Sequence, residues 1–249
     1  MRAASINRVG GPSEITCGEL PDPVPGPRQA LVRVRAAAIN PIDTYVRAGT
    51  VPMPLEFPFV VGCDLAGEVV AVGDEVDRLR PGMRVWGSNQ GLLGRQGTCA
   101  ELAAVDEQWL YPTPDGVTDR EASAAALVSI TAHLGLVTHA RLQPGETIFV
   151  SGGSGGVGSA VVQIARALGG RVIATAGTPD KRKAVLNVGA DLALDYRRPD
   201  LVAAVREAAP GGVAVHWETR REPDFDSAIA MLAEGGRLVL MAGREARPA

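Results

Sequence analysis

The sequence of 249 residues has only three cysteines, Cys17, Cys63 and Cys99, and no CxxC pair. An odd number of widely spaced cysteines excludes a disulfide framework, and the missing pairs exclude a four-cysteine zinc site. Aromatic residues make up only 4% of the chain and charged residues 21%, whereas 46% of the residues are hydrophobic. That hydrophobic share is sufficient for a buried core and argues against intrinsic disorder.

Strong charge and long hydrophobic runs are also missing. The formal net charge is −3, so no general attraction to nucleic acid or anionic lipid is expected. The N-terminal residues lack the apolar core of a signal peptide. The longest apolar-rich run, residues 122–137, is interrupted by polar residues such as Ser129 and His133 and is predicted to be too short to span a bilayer. We therefore expect a cytoplasmic protein with neither a nucleic-acid nor a membrane partner.

The sequence pattern changes near residue 115, which predicts two domains with a boundary between residues 117 and 118. Residues 1–117 contain short strand-like stretches separated by glycine and proline, a pattern typical of a β-rich domain. Thr118 and Glu121 have the spacing of a capping box, and after them strands alternate with helices. This alternation predicts βαβ units around a parallel sheet over residues 118–249. The expected fold class is α/β, with a β-rich domain followed by a doubly wound parallel sheet.

The most informative motif is a glycine loop between a predicted strand and a predicted helix. Residues 153–158 match GxGxxG, after the strand 147–150 and at the start of the helix 157–168. The first glycine permits a tight turn, the second lets backbone N–H groups approach a pyrophosphate, and the third lets the helix pack against the strand. The helix N-terminus then faces the anion. The predicted dinucleotide contacts are Gly153, Ser154, Gly155, Gly156, Val157 and Gly158.

The residues after the second strand of this unit favour NADPH over NADH. NAD-binding units carry an acidic residue about 20 positions after the loop, but residues 173–178 (IATAGT) contain none. Thr178 and Pro179 then predict a helix start, and residues 181–183 (KRK) place three cations in its first turn. The helix dipole disfavours cations there, whereas the 2′-phosphate of NADP would bind them. A solvated basic helix end is the alternative for each cation.

Four segments in order resemble the zinc-independent quinone oxidoreductases, the ζ-crystallin branch of the medium-chain dehydrogenases/reductases. They are AAAINPIDTYVRAG, GCDLAGEVVAVGDEV with RPGMRVWG, SITAHL, and SGGSGGVGSAVVQIARALGGRVIATAGT. The resemblance covers essentially the whole chain. It implies a GroES-like catalytic domain, a Rossmann domain and a cleft between them.

The resemblance also implies roles for individual residues. Residues 154–157 would hold the pyrophosphate of the cofactor. The nicotinamide would be approached by Asn40, Thr131, Ala242 and Gly243. The adenosine ribose and its phosphate would be surrounded by Gly177, Thr178, Lys181 and Tyr196.

The candidate catalytic residues are Asn40, Asp43 and Tyr45, on the segment AAAINPIDTYVRAG. Asn40 and Tyr45 could donate hydrogen bonds to the acceptor oxygen as negative charge develops. Tyr45 could also donate a proton, although its ordinary pKa near 10 makes it a weak acid. Hydrogen bonding within the loop is the alternative role for Asp43 and Tyr45.

The metal ligands of zinc-dependent relatives are replaced in this sequence. Asp43 stands in the region of the first ligand, Cys63 and Asp64 stand where His and Glu would be, and Val128 lies near the last position. One thiol without a histidine is a poor set for tetrahedral zinc, so no metal is expected.

These features predict an NADPH-dependent oxidoreductase that transfers a hydride to a quinone without a metal. Activated enones also accept a hydride without a Lewis acid, so an NADPH-dependent enone (alkene) reductase is the alternative enzyme. A non-catalytic NADPH-binding protein is the alternative from a different class. A small-molecule quinone or enone is the expected partner.

Two departures from the family accompany the resemblance. Family members continue beyond the fifth strand of the cofactor sheet, so the Rossmann domain is expected to be truncated at its C-terminus. A homodimer is expected if that C-terminal segment is present. In addition, His216-Trp217-Glu218-Thr219 stands where the family usually has an aspartate and a glycine-rich turn, and the sequence assigns it no role.

Overall fold

The computed structural model describes residues 1–241, and the chain divides into two compact units, Met1–Leu127 and Val128–Ala249. The division falls within the helix Asp119–His133, after its ninth residue. The sequence-based boundary between residues 117 and 118 lies just before this helix begins, and it stays a prediction.

The first unit contains two antiparallel sheets with the strand orders β7-β3-β5-β6-β8 and β2-β1-β4. Its strands are β1 (Arg2–Ile6), β2 (Thr16–Glu19), β3 (Gln29–Ala36), β4 (Phe59–Val60), β5 (Leu65–Val72), β6 (Arg84–Gly87), β7 (Leu102–Asp106) and β8 (Leu110–Pro112). The helix α1 (Pro41–Ala48) follows β3, and short 3₁₀ turns occupy Pro12–Glu14 and Glu107–Trp109.

Strand β3 shows how the sequence pattern produces the larger sheet. Val32 is fully buried in the core of this unit together with Leu65 and Val69 of β5, whereas Arg33 on the opposite face is exposed. This is the alternation expected of a half-buried strand. A Cβ at Gly67 would lie 2.1 Å from the Arg33 carbonyl oxygen, so glycine is needed where β5 approaches β3.

The second unit is built on a five-stranded parallel sheet with the order β11-β10-β9-β12-β13. Its strands are β9 (Thr147–Val150), β10 (Arg171–Thr175), β11 (Leu192–Leu194), β12 (Val213–Glu218) and β13 (Leu232–Leu240). Its helices are α2 (Asp119–His133, shared with the first unit), α3 (Gly156–Ala167), α4 (Pro179–Asn187), α5 (Leu201–Ala208) and α6 (Phe225–Met231). The order reverses between β9 and β12, which is where doubly wound sheets bind ligands.

Hydrophobic cores cover both faces of this parallel sheet. On one face, Val150, Val172 and Trp217 pack with residues of α2 and α3. On the other face, Phe149 and Ile173 pack with residues of α5 and α6. Burial on both faces explains why these strands read as continuous apolar runs.

Helix α2 begins as predicted, and its helical segment extends beyond the apolar-rich run 122–137. Its capping box is confirmed, because the Glu121 N–H donates to Thr118 Oγ1 at 3.2 Å and the Thr118 N–H donates to Glu121 Oε2 at 2.9 Å. A π-helical turn, Leu134–His139, continues it, so the helical segment Asp119–His139 has 21 residues. The prediction that this run is too short for a bilayer was therefore wrong. By length and composition alone the segment passes the test for a membrane span, as do core helices of water-soluble proteins.

Candidate functional site

The glycine loop after β9 is tied to the end of β10. The Gly152 N–H donates to Thr175 Oγ1 at 3.0 Å, and the Gly153 N–H donates to the Thr175 carbonyl at 2.8 Å. Gly152 has φ +71°, which favours glycine. The sequence did not identify Thr175, because a threonine at a strand end carries no distinctive signal.

The loop leads into α3 in the way an anion site requires. Gly155 is the N-cap and provides no side-chain cap, so the first-turn N–H groups stay available. Ser154, Gly155 and Gly156 are exposed, whereas Gly153 and Gly158 are buried. A Cβ at Gly155 would lie no closer than 3.4 Å to a neighbouring atom. The exposed glycines therefore form an open cradle that fits a pyrophosphate.

A second group of predicted residues meets at the end of β10. Thr178 is the N-cap of α4, with its Oγ1 accepting from the Lys181 N–H at 3.3 Å, and Pro179 is the first helical residue. This predicted helix start is confirmed. The Tyr196 ring packs on Gly177, where a Cβ would lie 2.8 Å from Tyr196 Cε1. The structure thus places Gly177, Thr178, Lys181 and Tyr196 side by side.

The three cations of α4 do not share one environment, contrary to the prediction of a single cluster. Arg182 Nη1 donates to Asp195 Oδ2 at 3.0 Å. Lys181 and Lys183 are exposed, and their ammonium groups have no hydrogen bond or ion pair among residues 1–241. Residues two apart on a helix face different directions, so Lys183 does not share the face of Lys181.

A cavity of about 390 Å³ lies at the carboxyl end of the parallel strands. Gly152, Thr175, Tyr196 and Thr219 are among the residues that line it. Because it spans the ends of β9, β10 and β12, it lies where the sheet order reverses. That position suits the adenosine half of a dinucleotide.

The segment 216–219, which the sequence left without a role, forms the end of β12 beside this cavity. Thr219 Oγ1 donates to the Ser151 carbonyl at 2.9 Å. The Glu218 carboxylate is completely buried and accepts from Arg220 Nη2 at 2.7 Å. Burial would raise the pKa of Glu218, but the neighbouring His216 and Arg220 outweigh it and hold that pKa well below its usual range. The carboxylate is therefore ionised.

In the first unit, the candidate catalytic segment is the N-terminal turn of α1. Asn40 is the N-cap, Pro41 is the first helical residue, and Gly49 with φ +74° ends the helix. The Asn40 N–H donates to Asp43 Oδ2 at 2.6 Å. The sequence analysis missed this helix, although the spacing of Asn40 and Asp43, together with Pro41 and Gly49, is the signal for one.

The Asn40 side chain is hydrogen-bonded to the buried carboxyl group of Asp64. Its Nδ2 donates to Asp64 Oδ2 at 2.8 Å, and the Leu127 N–H reaches the same oxygen at 3.2 Å. Asp64 is completely buried, and burial raises its pKa. One amide hydrogen of Asn40 is therefore engaged, and the other has no acceptor among residues 1–241.

Asp43 combines its capping role with a perturbed carboxyl. Burial raises the pKa of Asp43 to about 6, the Asn40 N–H opposes the rise, and the charge of Asp64 adds to it. The helix-capping bond is the structural role foreseen as its alternative.

The Asp43→Asn variant is expected to lose part of the pH dependence of stability. At a pH well below the ordinary pKa of 3.8, Asp43 is protonated in both the folded and the unfolded chain. The stability that Asp43 contributes is therefore fully present at that pH. It is lost as the pH rises through about 6, because the unfolded chain ionises more readily. Relative to the variant, the wild type should lose about 2–3 kcal/mol between pH 4 and pH 7. Urea denaturation at both pH values measures the free energies of unfolding. The same change from pH 4 to pH 7 in the wild type and the variant would contradict the prediction.

The remaining predicted residues lie in different places. Tyr45 is half-buried in α1, and Thr131 is half-buried in α2 within the second unit. Ala242 and Gly243 lie outside the described residues 1–241.

The residues at the positions of zinc ligands do not fit a zinc ion. Burial raises the pKa of the Cys63 thiol to about 11, and its Sγ lies 3.6 Å from Ser88 Oγ. Asp64 Oδ2 accepts two N–H donors, whereas its Oδ1 has no hydrogen-bond partner among residues 1–241. Within residues 1–241, no group of three or more His, Cys, Asp or Glu side chains could hold a metal ion.

Comparison with known protein families matches both halves of the chain. The model of the zinc-binding dehydrogenase family matches residues 156–248, and that of the alcohol dehydrogenase GroES-like domain matches residues 26–115. Human quinone oxidoreductase is 31% identical over 246 residues, which are 98% of this chain and 74% of the human protein.

Solved structures share the backbone as well. A mycobacterial protein solved in complex with NADPH is 34% identical, with a TM-score of 0.87 over all of this chain and 76% of that one. An NAD-dependent alcohol dehydrogenase is 33% identical, with a TM-score of 0.90 over 96% of this chain and 76% of that one. Because this backbone occurs with either nucleotide, side chains must decide between them.

Proposed function

The chain belongs to the quinone oxidoreductase family of the medium-chain dehydrogenases/reductases, as the sequence resemblance predicted, and from this we propose that it transfers a hydride from NADPH to a quinone without a metal. Membership makes it an oxidoreductase with a GroES-like domain and a Rossmann domain. The quinone acceptor and the metal-free reaction are proposed in addition to this membership.

The residues that follow β10 are the main support for NADPH as the cofactor. Gly177 stands where an NAD-binding unit places a carboxylate for the ribose hydroxyls. Thr178 and Lys181 lie beside it at the start of α4. A 2′-phosphate at this place would be attracted by the Lys181 ammonium group, and position 177 has no carboxylate. A carboxylate would repel it.

The chain's own residues mainly bind and orient. The first-turn N–H groups of α3 would hold the pyrophosphate, while Gly177 and Tyr196 would flank the adenosine ribose. NADPH supplies the hydride from its nicotinamide. Asn40, with one free amide hydrogen, and Tyr45 are the proposed hydrogen-bond donors to the acceptor oxygen, where negative charge develops.

Metal-free reduction follows from the donor chemistry around position 63. One thiol and one carboxyl group without a histidine are a poor ligand set for tetrahedral zinc, and within residues 1–241 no group of three or more His, Cys, Asp or Glu side chains could hold a metal ion. Without a Lewis acid, the acceptor must take a hydride readily, which favours a quinone over a simple ketone. Positioning then supplies most of the catalysis.

Nicotinamide oxidation by the purified chain tests the proposal. NADPH and NADH are each offered with a naphthoquinone and, in parallel, with a simple enone, before and after dialysis against a metal chelator. NADPH-dependent quinone reduction that survives dialysis is expected. Turnover of the enone alone would identify an alkene reductase, and NADPH binding without turnover would identify a non-catalytic protein. Activity lost on dialysis and restored by Zn²⁺ would overturn the metal-free mechanism.

The Lys181→Ala variant is expected to bind NADPH about tenfold more weakly and NADH almost unchanged, because one charge-assisted contact to phosphate is lost at an exposed site. Titration of nicotinamide fluorescence measures both dissociation constants. Lys183→Ala is the matched control, since Lys183 is also exposed but faces another direction. Equal weakening of both nucleotides by Lys181→Ala would contradict the assignment.

We also propose a cytoplasmic location and, if the family's C-terminal segment is present, a homodimer. Cell fractionation tests the location. Light scattering after size-exclusion chromatography tests the oligomeric state.

A further inference from the structure

A three-residue ionic cluster lies next to the end of β10, and the sequence motifs did not reveal it. Asp195, one residue after β11, binds two arginines with its carboxylate. Its Oδ2 accepts from Arg182 Nη1 at 3.0 Å and from Arg197 Nη2 at 2.9 Å. Its Oδ1 accepts from Arg197 Nε at 3.0 Å. The hydrogen bonds from Arg197 hold the pKa of Asp195 far below its usual range, so the cluster carries one net positive charge.

The cluster surrounds the residue that replaces the expected carboxylate. Arg197 Nη2 also donates to the Gly177 carbonyl, and its guanidinium lies 5.6 Å from the centre of the Tyr196 ring. Arg182 Nη1 lies 3.5 Å from the Ala176 carbonyl. Both guanidinium groups are therefore fixed at the place where ribose selectivity is decided.

Arg197 has hydrogen-bonding capacity left over for a ligand. Its Nε and Nη2 are engaged, whereas its Nη1 has no partner among residues 1–241, and the side chain is 61% exposed. A guanidinium has donors only, so it cannot accept a hydrogen bond from a ribose hydroxyl as a carboxylate does. Its Nη1 can donate hydrogen bonds to a phosphate, and its positive charge favours that anion.

We propose that Arg197, held in place by Asp195 and assisted by Arg182, selects NADPH by binding the 2′-phosphate. This inference rests on the proposed NADPH dependence and names residues beyond those that the family resemblance implied. Arg197 is a specificity-determining contact in addition to Lys181, and Asp195 is a positioning residue. Both carboxylate oxygens of Asp195 are occupied by guanidinium groups, which shields the phosphate from its charge.

The test compares Arg197→Gln with Arg166→Gln, which replaces another exposed, ion-paired arginine of the second unit. Arg166 pairs with Asp191 at 3.2 Å and is 58% exposed, at the far end of α3 from the glycine loop. Dissociation constants for NADPH, NADH, 2′,5′-ADP and 5′-AMP are measured on the full chain by calorimetry. Arg197→Gln should weaken NADPH and 2′,5′-ADP about tenfold and NADH and 5′-AMP less than about twofold. Arg166→Gln should leave all four unchanged.

Two further measurements keep the result interpretable. Arg197→Lys retains the charge but not the guanidinium group that Asp195 holds in place, so it should recover part of the preference for 2′,5′-ADP. Raising the salt concentration should weaken 2′,5′-ADP binding more in the wild type than in Arg197→Gln. Melting temperatures verify that each variant is folded.

The outcomes separate the two proposals. A wild type that binds NADH as tightly as NADPH would refute the proposed nucleotide preference itself. A wild type that prefers NADPH, combined with an unchanged preference in folded Arg197→Gln, would overturn only the role of Arg197. In that case the cluster serves to join β11 to β10.

Discussion

Replacing Gly158 with alanine is expected to abolish detectable NADPH binding and to lower the free energy of unfolding by about 1–3 kcal/mol. The new Cβ would lie 2.1 Å from the Gly152 carbonyl oxygen and 2.9 Å from the Gly152 carbonyl carbon. Both are backbone atoms that cannot rotate away as a side chain could. Either α3 moves outward or the loop unfolds, and both changes misplace the N–H groups that hold the pyrophosphate.

Two other glycines separate packing from binding. Gly155→Ala has room for its Cβ, with the nearest atom at 3.4 Å, so it should keep wild-type stability while the methyl group weakens NADPH binding. Gly211→Ala, with no atom within 4 Å of the new Cβ, should change neither property. Urea denaturation and fluorescence titration of all three variants test this ranking. Gly158→Ala with wild-type NADPH affinity would show that the close approach of α3 is dispensable.

The Arg220→Ala variant is expected to lose about 3 kcal/mol of stability at pH 7, because it leaves the fully buried Glu218 carboxylate without its charged partner. The expected loss is at the lower end of the usual range because Arg220 is 51% exposed, which lets water reach the site. Denaturation at pH 7 and at pH 3 measures the effect.

The stability difference between the wild type and Arg220→Ala depends on pH. Glu218 has a lowered pKa in the folded protein, so the stability it contributes is present above its unfolded pKa and lost as the pH falls through the folded value. The difference between wild type and Arg220→Ala should therefore be largest at pH 7 and smaller at pH 3. Adding Glu218→Gln to Arg220→Ala removes the unpaired charge and should restore part of the stability. A double variant as unstable as the single one would contradict the charge argument.

Short-range features of this chain were predictable from the sequence. The glycine loop, the N-cap Thr178 and the capping box at Thr118 each depend on residues within one or two turns. Local geometry determines their structure, and the structure has all three. Helix α1 was equally local, but its polar first turn was interpreted as an active-site loop.

Long-range pairs were not predictable in the same way. Asn40 and Asp64 are 24 positions apart, and Arg197 reaches the Gly177 carbonyl across 20 positions. Which arginine meets which carboxylate depends on strand order and on the register of β10 with β11, and no motif in the sequence encodes either. For this reason Arg182 was grouped with its helical neighbours instead of with Asp195.

The loop between β9 and α3 is held on both sides, by Thr175 at the end of β10 and by Thr219 after β12. Glycine-rich segments have high conformational entropy in solution, and a loose one would have to become ordered when a nucleotide arrives. Here that ordering is completed when the protein folds. NADPH should therefore bind with only a small unfavourable entropy from the loop. Removing either threonine hydroxyl should make the binding entropy less favourable and change the binding enthalpy less.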